Sequence, residues 1–148
     1  MTTKLSIAPL LGVGGVAFGM KRSSVVAALG TPQSSFKRIP AAEHATDAWL
    51  DGCLQVSYIG ESPAVDFIEL ADGPGVEVFL FGFAVFNLAS GSLLRLLKER
   101  APWDESEAAC SYTCRSLELA LWRPSAVDEA RFVSVGVGAK GYYSERQD

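Results

Sequence analysis

Hydrophobic positions along the chain change period several times, and each change predicts an element. Lys21 to Leu29 places Val25, Ala28 and Leu29 at helical spacing. Gly30 can adopt a left-handed C-cap and Pro32 cannot continue the helix, so the spacing predicts a short helix over 21–29. The period then falls to two. Ser34 to Ile39, Thr46 to Leu50, Leu54 to Ile59, Val65 to Leu70 and Val76 to Phe81 read as strands, with Asp51-Gly52 as a tight-turn signal. A second helix is predicted from Gly91 to Arg100, with Leu93, Leu94 and Leu97 inward and a capping hydroxyl at Ser90. Two further strand regions follow: Cys110 to Trp122, broken near Arg115-Ser116, and Arg131 to Val137. The tail from Gly138 is glycine-rich, then comes Tyr142-Tyr143, and the polar residues after them are expected to fray.

Helix, several strands, helix, several strands, with short turns between strands, predicts an α+β fold. It is mainly antiparallel sheet with two short helices packed on it. The order suggests two weak helix-plus-strands pseudo-repeats, about 19–75 and 76–148, within a single domain spanning 1–148. At 148 residues the chain can build one core. An apolar share of 49% and a charged share of 20% exclude a disordered chain.

The N-terminal stretch has the outline of a signal peptide: Lys4, then Leu5 to Leu11, then Gly15-Val16-Ala17. Pro9 and the glycines at 12, 14 and 15 break its apolar run, and no lipobox cysteine follows. No apolar run approaches the roughly 20 residues of a membrane span. The expectation is a cytoplasmic protein with no membrane partner.

Chemistry-bearing motifs are few. Gly12 to Lys21 looks like a phosphate loop, but Met20 separates Gly19 from Lys21, and the stretch reads as a flexible loop. Cys110 and Cys114 are separated by three residues and His44 is the only histidine, so no metal site is expected. Asp66 and Glu69, three apart on a strand, should point to opposite faces. Asp104, Glu105 and Glu107 fall in a polar linker. No nucleophile sits on a strand–turn–helix elbow. The expectation is a non-enzyme with no catalytic residue and no cofactor.

Charge is the strongest asymmetry. From residue 39 to 94 there are 8 acids and no lysine or arginine. An acidic face would repel nucleic acid and steer a basic protein toward it. The competing reading is a set of solubilising charges at turns and strand edges. Aromatic anchors could add affinity. Trp122 is expected in the core and Trp103, between Pro102 and Asp104, at the surface. The candidate partner-binding residues are Glu43, Asp47, Trp49, Asp51, Glu61, Asp66, Asp72 and Trp103.

The segment Gly19-Met20-Lys21-Arg22-Ser23-Ser24-Val25-Val26-Ala27-Ala28-Leu29-Gly30-Thr31-Pro32 resembles the G-M-x4-V-x3-L-G-x-P pattern of BamE lipoproteins and their structural relatives. These relatives include the β-lactamase-inhibitor protein, so the resemblance implies a repeated helix-plus-strands unit. Gly12 to Met20, Phe67 to Leu70, Leu119 to Pro124, Ser134 to Gly138 and Gly141 to Tyr143 are similar to stretches in small bacterial proteins encoded beside polymorphic toxins. That resemblance implies an immunity protein whose partner is a cognate toxin with a basic effector domain, such as a nuclease, blocked by occlusion and acidic mimicry. The alternatives are a scaffold or adaptor with a BamE-like fold, marked by an exposed apolar groove, and a small-ligand-binding domain or an enzyme of unfamiliar type, marked by a deep pocket around His44 or Tyr142.

Overall fold

The computed structural model describes residues 2–145. Among these residues the fold is α+β: thirteen strands, β1 to β13, form two sheets, and two short helices join them around one core.

The first sheet begins at the N-terminus. Strands β1 (Thr3–Ala8), β2 (Gly12–Val13) and β3 (Val16–Ala17) form a small meander, where the sequence suggested a flexible loop. β1 pairs in parallel with β8 (Val76–Leu80), in the register Leu5↔Val78 and Ile7↔Leu80. The two-residue β9 (Phe83–Ala84) completes it, giving the order β3-β2-β1-β8-β9. A local reading misses β1 because its partner lies more than 70 residues away and Leu5 and Ile7 are its only large inward side chains.

Eight strands make the second sheet, all antiparallel, in the order β10-β11-β12-β13-β7-β6-β5-β4. Helix α1 (Arg22–Leu29) leads into β4 (Ser34–Phe36), β5 (Thr46–Trp49), β6 (Leu54–Ile59) and β7 (Ala64–Ala71). Helix α2 (Ser90–Lys98) leads into β10 (Asp104–Glu105), β11 (Ser111–Cys114), β12 (Leu119–Trp122) and β13 (Ser134–Gly138). The two sets of four strands meet where β7 pairs with β13.

One core draws on both sheets and both helices. α2 contributes Leu93, Leu94 and Leu97, at about 2 kcal/mol of burial each. α1 contributes Val25 fully and Leu29 partly, while Ala28 faces solvent. Gly30, at φ 87°, ends α1, and its carbonyl accepts the Trp49 indole N–H at 3.1 Å. Ser90 is the first residue of α2 and not its cap. The helix-start N–H groups of Ser90 and Gly91 donate to the carbonyls of Ala130 and Asp128. The Ser90 hydroxyl instead accepts from the buried Arg123 guanidinium at 2.8 Å. Arg123 also donates to the Ala109 and Val127 carbonyls and the Tyr112 hydroxyl, closing the 124–130 loop onto α2 and β11.

Candidate functional site

One face of the eight-stranded sheet packs into the core and the other is only partly covered, which follows from alternation along most of its strands. Leu54, Val56, Ile68, Leu70, Val135, Val137, Leu119, Leu121, Tyr112 and Cys114 point into the core. Their strand neighbours point outward. The register lines up Gln55 with Glu69 and Gly136, then Gly136 with Ala120 and Thr113. A second row runs from Ala71 through Ser134 and Trp122 to Ser111. The centre of this outer face is therefore a floor of small residues. Trp122 stands on it 44% exposed, and Phe36 lies exposed on the far edge strand.

Two segments fold over the rest of the face. The first is the connection 37–45 between β4 and β5. Arg38 reaches back across the sheet, donating to Gln55 Oε1 at 3.0 Å and pairing with Glu69 at 3.1 Å. Its guanidinium lies 5.4 Å from the centroid of the Phe67 ring. The second is the turn after β13. The Tyr142 ring stacks on Phe67 at 4.4 Å, and Tyr143 meets the same ring edge-on. Gly136 and Gly138 make this possible, since a Cβ at Gly136 would strike the Tyr143 hydroxyl and one at Gly138 the Tyr142 side chain.

A buried carboxylate holds that turn. Glu118 sits at φ 56° in the β11–β12 connection, a left-handed conformation that costs about 1–2 kcal/mol for a residue with a Cβ. Its oxygens accept the backbone N–H groups of Gly141, Tyr143 and Ser144 and the Ser144 hydroxyl. Burial alone would raise its pKa, but the bonds from Ser144, Gly141 and Tyr143 outweigh burial and hold it below the ordinary carboxylate value. The segment 139–145 is thus docked by a carboxylate distant in the sequence; of the polar end expected to fray, Ser144 is held by Glu118 and residues 146–148 lie outside the described residues.

Between the 37–45 segment and Tyr142 lies a cleft of about 360 Å³ floored by Thr46, Ser57 and Phe67, with Arg38, Glu43, His44 and Asp66 around it. His44 Nε2 lies 2.6 Å from the Gly60 carbonyl and 3.3 Å from Glu43 Oε1. The hydroxyls of Thr46 and Ser57 bond each other at 2.9 Å. A neighbouring cleft of about 470 Å³ shares Asp66 and Tyr142 and extends past Ile59 and Ala64 to Lys140.

No family model, no curated protein and no solved structure matches the chain. Among the described residues, no group of three His, Cys, Asp or Glu side chains is placed to hold a metal ion. No helix among them is long and apolar enough to cross a membrane.

The eight candidate partner-binding residues do not form one surface. Asp47 is fully buried, gripped by Arg22 at 2.8 and 3.2 Å, by Ser35 at 2.6 Å and by the Tyr58 hydroxyl at 2.8 Å. Burial works to raise its pKa, but these bonds hold it below the ordinary carboxylate value. Burial and the Asp47 carboxylate push the Tyr58 hydroxyl well above its own. Trp49 is buried against α1, as its bond to Gly30 requires. Trp103 packs against the core, and its indole N–H is enclosed without an acceptor among the described residues. The expected places of Trp103 and Trp122 are therefore exchanged. In β12, Leu119 and Leu121 take the inward positions, so the period of two sends Trp122 outward.

The remaining acids divide between the ends of the β6–β7 hairpin, roughly 17 Å apart by strand rise. Asp51 and Asp72 stand at one end, where both act, after burial, to raise the Cys53 thiol pKa. Glu43, Glu61 and Asp66 lie at the other end: Glu43 accepts the Gly60 N–H, and Asp66 lines the clefts. Asp66 and Glu69 end on the same face, because a bulge in β7 sets Tyr58 opposite Val65 and Ser57 opposite Phe67, leaving Asp66 extra. Sequence reasoning named Tyr142 only as the mark of a pocket, and it missed that Phe36, Arg38, Trp122 and Tyr143 share its face and that buried Glu118 pins the turn carrying Tyr142 and Tyr143. Only Trp122 left a local signal, the alternation of 119–122.

Proposed function

We propose that this chain is a protein-binding inhibitor of the immunity type, and that it docks a cognate toxin on the outer face of its eight-stranded sheet. The observation that carries this reading is Trp122, 44% exposed beside a floor of Ala71, Ala120, Ser134 and Gly136. Exposed tryptophans on well-ordered scaffolds act as binding anchors, and small neighbours let a partner's side chains approach the sheet closely. The mechanism is steric occlusion. Mimicry of a nucleic-acid backbone finds no support, because Asp47 is buried, Glu69 is paired with Arg38, Glu77 lies in the other sheet, and Asp51 and Asp72 stand at the opposite end of the β6–β7 hairpin from Glu43, Glu61 and Asp66. The resemblance of residues 19–32 to the BamE pattern rests on those 14 residues alone.

The test is affinity capture from the source cells with the full chain, comparing wild type, Trp122→Asp and the double variant Asp51→Lys/Asp72→Lys. The reading expects one stoichiometric toxin-bearing partner, lost by about 100-fold in affinity with Trp122→Asp and held by the double variant. Equal capture by Trp122→Asp, or capture that depends on Asp51 and Asp72, contradicts it. A second reading, a small-ligand-binding domain, draws support from the cleft that brings His44 and Tyr142 to one site. A bound metabolite co-purifying with the chain, with no protein partner, would favour that reading.

A further inference from the structure

The two edges of the eight-stranded sheet are built differently. At one, β10 is two residues long, and both are exposed acids, Asp104 and Glu105. Short length and charge are devices that keep a foreign strand from pairing. At the other, β4 is Ser34-Ser35-Phe36, all exposed and none charged. It pairs with β5 without a register shift, and the Gln33 N–H extends the pairing by donating to the Ala48 carbonyl at 2.9 Å. Pro32 and Pro40 stand outside that run, and Lys37 lies just past its end. The first sheet ends in β3 and β9, two residues each, so β4 is the longest edge strand among the described residues.

An edge strand presents backbone N–H and C=O groups at strand spacing, and among the described residues no strand lies on this side of β4. Donors and acceptors that alternate at that spacing are matched by another extended backbone. Side chains set a second condition. The Ser35 hydroxyl turns inward to Asp47, so the period of two sends Ser34 and Phe36 to the outer face. Phe36 and Ile39, in the connection that follows, are both exposed. An incoming strand would set an apolar residue of its own beside Phe36.

We infer that the β4 edge is a strand-addition site, filled by an extended segment of the protein docked on the outer face. The source of the segment rests on the docking reading above; the chemistry of the edge does not. β4 stands five strands from β12, roughly 24 Å at the usual strand spacing, within the span of one protein interface.

The test uses the intact chain and two neutral probe peptides, acetyl-Thr-Val-Thr-Val-Thr amide and the same sequence N-methylated at every residue. Nuclear magnetic resonance follows the backbone amides of Ser34, Ser35 and Phe36 during titration. The expected result is saturable shifts of these amides with the first peptide, half-complete at about 1 mM, the affinity of a short isolated strand. The methylated peptide has the same side chains and no backbone N–H to donate, and should leave them unmoved. The double variant Ser34→Lys/Phe36→Lys changes two exposed side chains and gives β4 a charged guard, so it should weaken peptide binding about tenfold. No saturable shift, or equal shifts with the methylated peptide, overturns the proposal.

A third comparison tests the source. Capture of the protein partner weakened about tenfold by Ser34→Lys/Phe36→Lys assigns the segment to that partner. Unchanged capture, or a dimer of the chain alone that this variant abolishes, overturns that assignment. Loss of the docking reading in the Trp122→Asp experiment would leave the peptide titration untouched, so the two failures are distinguishable.

Discussion

Two carboxylates matter most at the residue scale, and neither faces a partner. Asp47 joins β5 to α1 through Arg22, to β4 through Ser35 and to β6 through Tyr58. Asp47→Ala would strand the buried Tyr58 hydroxyl, while exposed Ser35 and half-exposed Arg22 could return to water. The expected cost is about 2–3 kcal/mol, read as a shift of the urea midpoint. Asp47 and Glu118 also set the acid limb of stability. Both carboxyls are held below their ordinary values in the folded chain, so the unfolded chain binds more protons in acid. Their contribution is present in full above the ordinary carboxylate range and is lost as pH falls through the lowered values, from about pH 5 downward. Stability should therefore fall in acid, and Asp47→Asn should flatten that fall. A slope unchanged by Asp47→Asn would show that the fold does not depend on this carboxylate charge.

The turn over the outer face is the element that most shapes the surface. Glu118 fixes its backbone, and Gly136 and Gly138 leave room for its rings. Gly136→Val should lift Tyr143 and unpin 139–145 while β13 stays paired, at a cost of about 1–3 kcal/mol. Faster proteolysis near 140 without loss of sheet signal would match this, and unchanged proteolysis would count against it. Elements with local causes were legible in the sequence. β6 has the predicted bounds, α2 lies within a residue or two, and the break at Arg115-Ser116 falls in the β11–β12 connection. Elements with distant causes were not. β1 depends on β8, the docked tail depends on Glu118, and the Asp51-Gly52 turn widens to a four-residue connection. Trp49 there pairs with Leu54, and Leu50, Asp51 and Gly52 all take positive φ.

The whole molecule reverses the charge argument that the chain suggests in one dimension. Eight acids in one stretch look like a face, but pairing folds that stretch back on itself and sends Asp51 and Asp72 to one end and Glu43, Glu61 and Asp66 to the other. The surface that remains coherent is the outer face around Trp122, Phe67 and Tyr142, and it was illegible because its residues come from several strands and two connections far apart in the sequence. Partner affinity should accordingly change by less than about tenfold between low and high salt, since exposed charges at the two ends are screened and the Trp122 anchor is not. A steep loss at high salt would restore the electrostatic account. The most direct test of the central claim is hydrogen exchange of the chain alone and bound to its captured partner. Docking on the outer face predicts slowed exchange in β12, β13, the 37–45 segment and the 139–145 turn, with β1, β8 and α2 unchanged. Protection confined to β1, β8 or α2 would place the partner elsewhere and contradict the account.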